Sequence, residues 1–280
     1  MQSIGLSSRT GWHNVRVQPW SDGTCETDDV RIHFIRTGGD GRPVVLLHGL
    51  MGSGASWTPL AQALEGDFDV VMPDARGHGR SGAPEVGYSY DEHASDVLGL
   101  VRHLQLRRPV FVGHSMGGMT AAVAARRSTG NLRGLVLVDP TFISPEFQQQ
   151  VWESDVADQH RRALTLSRPE LLAEARARNP HRSADIVELQ VEARLNTRLS
   201  AFSVLAPPNP DFRTVVRAIT VPTLLVIGDS PVVSLELATE LSTINPLVSV
   251  EQIPHAGHGL PFDQPRELER AVASFLRVLP

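Results

Sequence analysis

The stretch PVFVGHSMGGMTAAVAA, residues 109–125, places one serine at the junction of two different kinds of sequence. It begins with an apolar run typical of a buried strand and ends with an alanine-rich run typical of a helix. Gly113, Ser115 and Gly117 lie between the two runs. Glycine allows tight turns. The junction therefore either needs small residues for its shape or presents Ser115 to another group.

Apolar runs like this one recur along the chain, bounded by glycine, proline or aspartate as strands are at turns. The predicted strands cover residues 30–35, 43–49, 69–74, 109–115, 134–140, 222–229 and 248–254. Several are continuously apolar, which is typical of parallel strands covered on both faces. Helical patterns alternate with them, for example over 89–104 after a candidate cap at Ser89, and over 267–279. This alternation predicts an α/β fold.

One long segment interrupts the alternation. Residues 142–213 contain no convincing strand, but helical patterns cover 145–163, 168–178 and 183–200. So much helix between two strands exceeds an ordinary crossover and predicts a helical cap over the edge of the sheet. We call this segment the insert. The resulting division is an N-terminal extension (1–28), a core (29–141 and 214–280) and the insert (142–213).

Composition narrows the classes of function. The 280 residues carry a formal net charge of −5, which offers no basic footprint for nucleic acid. The chain has no lysine, so lysine Schiff-base chemistry is excluded, and its single cysteine, Cys25, forms no internal disulfide and no metal cluster. No apolar run has the length of a signal peptide or a membrane span. We therefore expect a cytoplasmic protein without membrane or nucleic-acid partners; its oligomeric state stays open.

Five motifs follow predicted strands in a fixed order. They are LLHGLMGS (46–53), DARGHGRSG (74–82), GHSMGG (113–118), PTLLVIGD (222–229) and IPHAGHGLPFDQP (253–265). In this order they resemble the oxyanion loop, the Asp-x-Arg-Gly-x-Gly-x-Ser turn, the nucleophile elbow, the acid strand and the histidine loop of the α/β-hydrolase superfamily. The resemblance covers the core and not the insert. It implies a mostly parallel, eight-stranded, doubly wound sheet with an inserted helical cap.

The resemblance implies a role for each motif. Ser115 would be the nucleophile and His258 the general base, in the chain order serine, acid, histidine. The backbone N–H groups of Leu50 and Met116 would form the oxyanion hole. His255 is expected to be a hydrogen-bonded loop residue, and His78 to lie in a solvated surface turn.

The triad acid is where the sequence departs from the family pattern. The usual turn reads Gly-x-x-Asp, whereas here Asp229 follows Gly228 directly. A shortened turn would bring Asp229 into the acid's place, and this is the prediction. The alternative acid is Asp139, at the end of GLVLVDP, which otherwise ends a strand at a turn.

Apolar residues near these motifs are candidates for a substrate pocket, although each of those in the insert could instead hold the insert on the core. The candidates are Met51, Trp57, Phe142, Trp152, Phe202 and Leu260. The arginines of the insert, Arg161, Arg162, Arg176 and Arg178, are expected on a solvated helix face.

The predicted function is hydrolysis of a small-molecule ester, lactone or thioester through an acyl-serine intermediate, with no metal and no organic cofactor. A serine at the nucleophile position argues against the epoxide hydrolase and haloalkane dehalogenase branches. C–C bond hydrolysis and haloperoxidase or perhydrolase chemistry on the same triad remain alternatives. So does a ligand receptor with a retained hydrolase-like site, because a fold does not prove turnover.

Overall fold

The computed structural model describes residues 20–128 and 130–280, which fold around one eight-stranded sheet. The strands are β1 (Ser21–Glu26), β2 (Arg31–Arg36), β3 (Arg42–Leu47), β4 (Phe68–Pro73), β5 (Val110–His114), β6 (Gly134–Val138), β7 (Thr223–Ile227) and β8 (Val248–Gln252). Their spatial order is β1-β2-β4-β3-β5-β6-β7-β8. β2 pairs antiparallel with β1 and β4, and all other pairs are parallel. The predicted mostly parallel eight-stranded sheet is confirmed.

Helices fill the connections between the strands. They are α1 (Thr58–Leu64), α2 (Tyr90–His103), α3 (Met116–Arg127), α4 (Pro145–Glu153), α5 (Val156–Ala163), α6 (Arg168–Arg178), α7 (Ala184–Leu195), α8 (Phe212–Arg217), α9 (Leu235–Ile244), α10 (Leu260–Asp263) and α11 (Pro265–Val278). Two 3-10 segments, Gly54–Trp57 and Leu199–Leu205, complete the set. α2 begins where the sequence predicts, because the Ser89 side chain accepts the N–H of Glu92 and so satisfies a free donor of the first turn. Within the described residues no helix is long and apolar enough to cross a membrane.

The boundary of the predicted N-terminal extension is wrong in part. Residues 21–26 form β1 and pair along their whole length with β2. The stretch SDGTCE has one buried apolar side chain, Cys25, so its sequence lacks the alternation of a half-buried strand. Its strand conformation depends on the edge that β2 offers. Residues 1–19 lie outside the described residues.

Two apolar layers cover the sheet, and its central strands are buried on both faces. α2, α3, α8 and α9 contribute to one layer, while α1 and α11 contribute to the other. Because the parallel strands share one direction, their carboxyl ends meet along one edge. Loops at such an edge of an open α/β sheet are where ligands bind. Ser115 and Asp139 directly follow the neighbouring strands β5 and β6.

The insert is a helical layer with a small core of its own. The residues of that core are Ala163, Leu171, Leu172, Val187 and Val191. Helix α7 contacts the Gly54–Trp57 segment of the core domain. The first and last parts of the predicted insert belong to the main core instead, because the rings of Phe142 and Phe212 stack there with their centroids 5.3 Å apart.

Candidate active site

Ser115 occupies a sharp turn between β5 and α3. Its backbone has φ 53° and ψ −118°, a conformation that L-residues adopt only under strain. The flanking glycines are required by close backbone approach. A Cβ on Gly113 would lie 2.2 Å from the Gly117 carbonyl oxygen, and one on Gly117 would lie 2.2 Å from the carbonyl oxygen of Leu47. The glycines therefore allow the shape of this turn, and the turn presents the Ser115 hydroxyl.

The structure brings Ser115, His258 and Asp139 into one hydrogen-bonded chain. His258 Nε2 lies 2.9 Å from Ser115 Oγ, and His258 Nδ1 lies 2.6 Å from Asp139 Oδ2. Asp139 is fully buried, with 0% of its surface exposed. The N–H of Val232 donates to Oδ2 and the N–H of Val233 donates to Oδ1, each at 2.9 Å. Both carboxylate oxygens are thus held in place by backbone donors.

The prediction that Asp229 lies on the histidine is wrong. Asp229 is exposed, and its Oδ2 accepts the backbone N–H of His255 at 2.6 Å. Its own N–H donates to the carbonyl oxygen of Ala256 at 2.7 Å, so the turn is bound to the histidine loop on both sides. The strand order gives the physical reason. Asp139 follows β6, the immediate neighbour of β5, whereas Asp229 follows β7, one strand farther from Ser115.

His114 is hydrogen-bonded to the backbone of the histidine loop. Its Nε2 donates to the carbonyl oxygen of His258 at 2.7 Å. Burial, reinforced by the nearby His258, lowers the pKa of His114 to about 3. The ring therefore stays neutral and keeps a single ring proton for this hydrogen bond.

Leu50 and Met116, whose N–H groups the sequence assigns to an oxyanion hole, line the same cavity as Ser115. Among the described residues, neither the Leu50 N–H nor the Met116 N–H donates to an acceptor. The next N–H, that of Met51, is taken by His78 Nε2 at 3.3 Å. Met51 has φ 62°, so this part of the loop is also held in the left-handed region.

His78 is a residue that sequence reasoning misjudged. It is buried rather than solvated, and burial followed by the proximity of His48 holds its pKa well below the usual histidine value. Its Nδ1 donates to the Arg76 carbonyl oxygen at 2.9 Å, which leaves Nε2 as an acceptor for Met51. The neutral ring thereby shapes the loop that carries Leu50. The GHG within DARGHGRSG gave no sign of this contact.

A cavity of about 550 Å³ lies between the core and the insert, and Ser115 and His258 are on its wall. Met51 and Trp57, both predicted for the pocket, are also on the wall.

Within residues 20–128 and 130–280, no group of three His, Cys, Asp or Glu side chains is placed to hold a metal ion.

Four other residues predicted for the pocket do not line this cavity. Phe142 stacks on Phe212 in the main core, and Leu260 is buried in the layer that includes α11. The Phe202 ring packs 4.9 Å from the ring of His160. Trp152 is 47% exposed on the outer side of α4. Aromatic or aliphatic character marked these side chains as candidates, but each is used for packing or points to solvent.

Sequence reasoning missed the helix faces that form much of the wall. The residues are Leu171, Glu174, Ala175 and Arg178 of α6, Arg182 of the following loop, and Gln190, Val191 and Arg194 of α7. Their spacing of three and four residues marks one face of each helix. That spacing is the available sequence signal, although it does not tell which face meets the cavity. Arg178, predicted on a solvated face, lies at the cavity edge with a side chain 63% exposed.

Comparison with known proteins agrees with this architecture. The sequence model of the alpha/beta hydrolase fold family matches residues 42–265. A 2-(acetamidomethylene)succinate hydrolase of Mesorhizobium japonicum is 27% identical over 254 residues, covering 86% of this chain and 90% of the relative. An sn-1-specific diacylglycerol lipase of Mus musculus is 30% identical over 252 residues, covering 83% of this chain and 80% of the relative.

A solved structure extends the comparison to three dimensions. The crystal structure of an N-formylmaleamic acid deformylase from Pseudomonas putida S16 superposes with a TM-score of 0.75 and 25% identity, covering 90% of this chain and 100% of that one. The family match spans most of the chain and includes the strands that carry Ser115, Asp139 and His258. The protein is therefore a member of the α/β-hydrolase fold family.

Proposed function

We propose that this protein is a serine hydrolase that cleaves a carboxylic ester, lactone or thioester through an acyl-serine intermediate. The observation that carries the proposal is the chain of hydrogen bonds from Ser115 through His258 to Asp139 at the wall of a large cavity. A serine hydroxyl needs an adjacent base to become an effective nucleophile, and the histidine lies within hydrogen-bonding distance of it.

In the first half-reaction the Ser115 Oγ attacks the carbonyl carbon while His258 Nε2 takes the hydroxyl proton. The carbonyl oxygen becomes an anion and accepts the N–H groups of Leu50 and Met116. Loss of one such donor costs about 2.7–4 kcal/mol in the barrier of a serine protease. His258 then gives its proton to the leaving oxygen or sulfur, and the acyl group stays on Ser115.

In the second half-reaction a water molecule replaces the leaving group. His258 Nε2 takes a proton from the water, the resulting hydroxide attacks the acyl carbon, and the Ser115 oxygen leaves and regains the proton. Throughout, Asp139 accepts the Nδ1–H of His258. This contact keeps Nε2 free for proton transfer and stabilises the imidazolium that forms in each step.

Cleavage of an N-acyl bond is a second candidate, favoured by the relatives. The name of the Pseudomonas putida deformylase places its bond between a formyl group and nitrogen. The same triad would serve, with His258 protonating a leaving nitrogen instead of oxygen. A substrate panel for this protein should therefore contain N-formyl and N-acetyl amides beside esters, lactones and thioesters.

The proposal predicts that a fluorophosphonate probe labels Ser115 alone. Peptide mapping after labelling should find the adduct there and leave Ser53, Ser56 and Ser81 unmodified. Ser115→Ala should lose turnover on the best substrate of the panel by a factor on the order of 10⁶, as loss of the nucleophile does in subtilisin. Ser203→Ala, which changes an exposed serine of the insert, is the matched control and should keep full activity. Labelling at another serine, or an active Ser115→Ala variant, would refute the serine-hydrolase mechanism.

A further inference from the structure

The insert brings three positively charged side chains to the cavity. Arg178 lies at the end of α6, Arg182 in the loop that follows, and Arg194 near the end of α7. Glu174 is the one carboxylate on the cavity wall among the described residues. Apolar side chains line the cavity on both sides, for example Leu50 and Met51 from the core and Phe147 and Val191 from the insert. The arginines therefore form a cationic patch, supplied by the insert alone, in an otherwise largely apolar cavity.

Two of the three arginines have a carboxylate partner. Arg178 Nη2 donates to Glu174 at 2.8 Å, and Arg182 Nη2 lies 2.7 Å from Asp263 Oδ1. Arg194 has no carboxylate within 4.0 Å among residues 20–128 and 130–280. Its Nη2 donates to the backbone carbonyl of Gln159 at 3.3 Å, and its Nε is buried without an acceptor in the described part of the chain. The cavity therefore carries one uncompensated guanidinium.

This arrangement is unfavourable without an anion. Burial, together with the charge of Arg178, lowers the pKa of Arg194, while Glu174 acts in the opposite direction. A partly desolvated cation with a second cation nearby gains stability when a negative group enters. A carboxylate suits the site because its two oxygens match the planar fork of a guanidinium. The three arginines and their two carboxylate partners, Glu174 and Asp263, leave one net positive charge. A ligand with one negative charge would therefore match the site better than a ligand with two.

We propose that the substrate carries a free carboxylate in addition to the bond that is cleaved, and that Arg194 binds this carboxylate with Arg178 as a second cation. The inference rests on the proposed function for the cleavage step. In this arrangement the apolar side chains of the cavity contact the hydrocarbon part of the substrate. The arginines of the insert then select anionic substrates and orient them toward Ser115.

The test compares matched anionic and neutral esters. The monomethyl esters of malonic, succinic, glutaric and adipic acids carry one carboxylate, and their dimethyl esters carry none. We expect the wild type to have the higher kcat/KM for one of the monoesters. Arg194→Gln should lower kcat/KM for that monoester about 10- to 100-fold, mainly through KM, as expected for loss of a charge-assisted hydrogen bond. The loss on the dimethyl ester should be much smaller, because that ester has no carboxylate for Arg194 to bind.

Arg176→Gln is the matched control. Arg176 is on the same helix as Arg178, 55% exposed, and does not line the cavity. This variant should leave both ester classes unaffected. Arg194→Lys, which keeps the charge but not the fork, should lower kcat/KM for the monoester by an intermediate factor, and more than it lowers kcat/KM for the dimethyl ester. Equal losses on both esters in the Arg194 variants, or a wild-type preference for the dimethyl ester, would overturn the carboxylate site.

A binding measurement separates this inference from the proposed function. Titration calorimetry with monomethyl glutarate and the Ser115→Ala variant needs no turnover, and we expect binding that disappears in Ser115→Ala/Arg194→Gln. Binding of monomethyl glutarate in a protein that cleaves no ester would leave the carboxylate site standing while the hydrolase proposal falls. Ester cleavage without any binding of monomethyl glutarate would leave the hydrolase proposal standing and overturn the carboxylate site.

Discussion

At the scale of single residues, the role of a carboxylate depends on what its two oxygens accept. Asp139 receives two backbone N–H groups and the Nδ1 of His258, and no part of it is exposed. Asp229 accepts a backbone N–H from the loop that carries His258, and it never reaches the imidazole ring. Asp139 therefore positions the His258 ring directly, whereas Asp229 holds the histidine loop through the backbone of His255 and Ala256.

We expect Asp139→Asn to lower kcat by a factor on the order of 10⁴, the loss seen when the acid of a serine protease becomes an amide. The amide NH₂ would also face donors at Val232 or His258, so stability should fall by about 1–3 kcal/mol. Asp229→Asn is the control, and its kcat should stay within about tenfold of wild type because a neutral amide oxygen still accepts the His255 N–H. Steady-state kinetics measures kcat for each variant, and urea unfolding checks that the variant is folded. A larger loss in Asp229→Asn would restore the original assignment.

At the scale of elements, the insert is joined to the core by an ion pair beside the histidine loop. Arg182 precedes α7, and Asp263 ends α10, which begins two residues after His258. The side chains of Arg182 and Asp263 are 12% and 9% exposed, and the exposed His181 also contacts Asp263 at 2.9 Å. Burial raises the pKa of Asp263, but Arg182 and then His181 outweigh it, so the folded pKa lies below the usual 3.8.

Breaking this pair should loosen the insert. Asp263→Asn leaves Arg182 buried without a counter-ion, which costs about 3 kcal/mol in comparable buried pairs. Hydrogen exchange should rise in α6 and α7 while the central strands stay protected. Because the folded pKa is lowered, the contribution of Asp263 is present above pH 3.8 and is lost as the pH falls through the folded value.

Glu240→Gln is the control for this change. It breaks the exposed pair between Arg213 and Glu240, which joins α8 to α9, and exposed pairs contribute little. No difference in α6 and α7 exchange between Asp263→Asn and wild type would show that other contacts hold the insert.

At the scale of the whole molecule, buried histidines make stability depend on pH in two opposite directions. His33 in β2 lies 2.6 Å from Asp22 of β1 and 2.7 Å from Asp74 after β4. Burial lowers the pKa of His33, but its contacts with Asp74 and Asp22 outweigh burial and raise it above 6.5. Burial instead lowers the pKa values of His93 and His114 to about 3 each.

The free energy of unfolding should therefore be largest near pH 6.5. Above it, the contribution of His33, complete below the unfolded pKa of 6.5, is lost as the pH rises through the higher folded pKa. Below it, His93 and His114 bind protons in the unfolded chain but stay neutral in the folded protein. Stability therefore falls toward acid pH. Each unit of pKa difference contributes about 1.4 kcal/mol. Urea unfolding across this pH range is the measurement.

The variant His33→Gln separates the two directions. It should be less stable overall, lose the decline on the alkaline side and keep the decline on the acid side. An alkaline decline of unchanged size in His33→Gln would show that another group titrates there.

Much of this protein could be predicted from local sequence. Continuous apolar runs mark strands buried on both faces, and a serine with a glutamate three residues later marks the start of α2, because such patterns depend on neighbours within one turn or one strand. The elbow around Ser115 is local only in part, since Gly113 is required by an atom of the same turn and Gly117 by the carbonyl oxygen of Leu47 at the end of β3. The order of the motifs predicted the sheet and the family to which the chain belongs.

The remaining features of the fold and of the site depend on contacts between distant parts of the chain. Asp139 rather than Asp229 meets His258 because β6, not β7, lies beside β5, and strand order is a property of the assembled sheet. β1 forms because β2 offers it an edge. Arg178 and Arg194 line the cavity because α6 and α7 turn particular faces toward it. Sequence spacing defines such faces, but only packing decides which of them is buried, which is exposed and which borders the cavity.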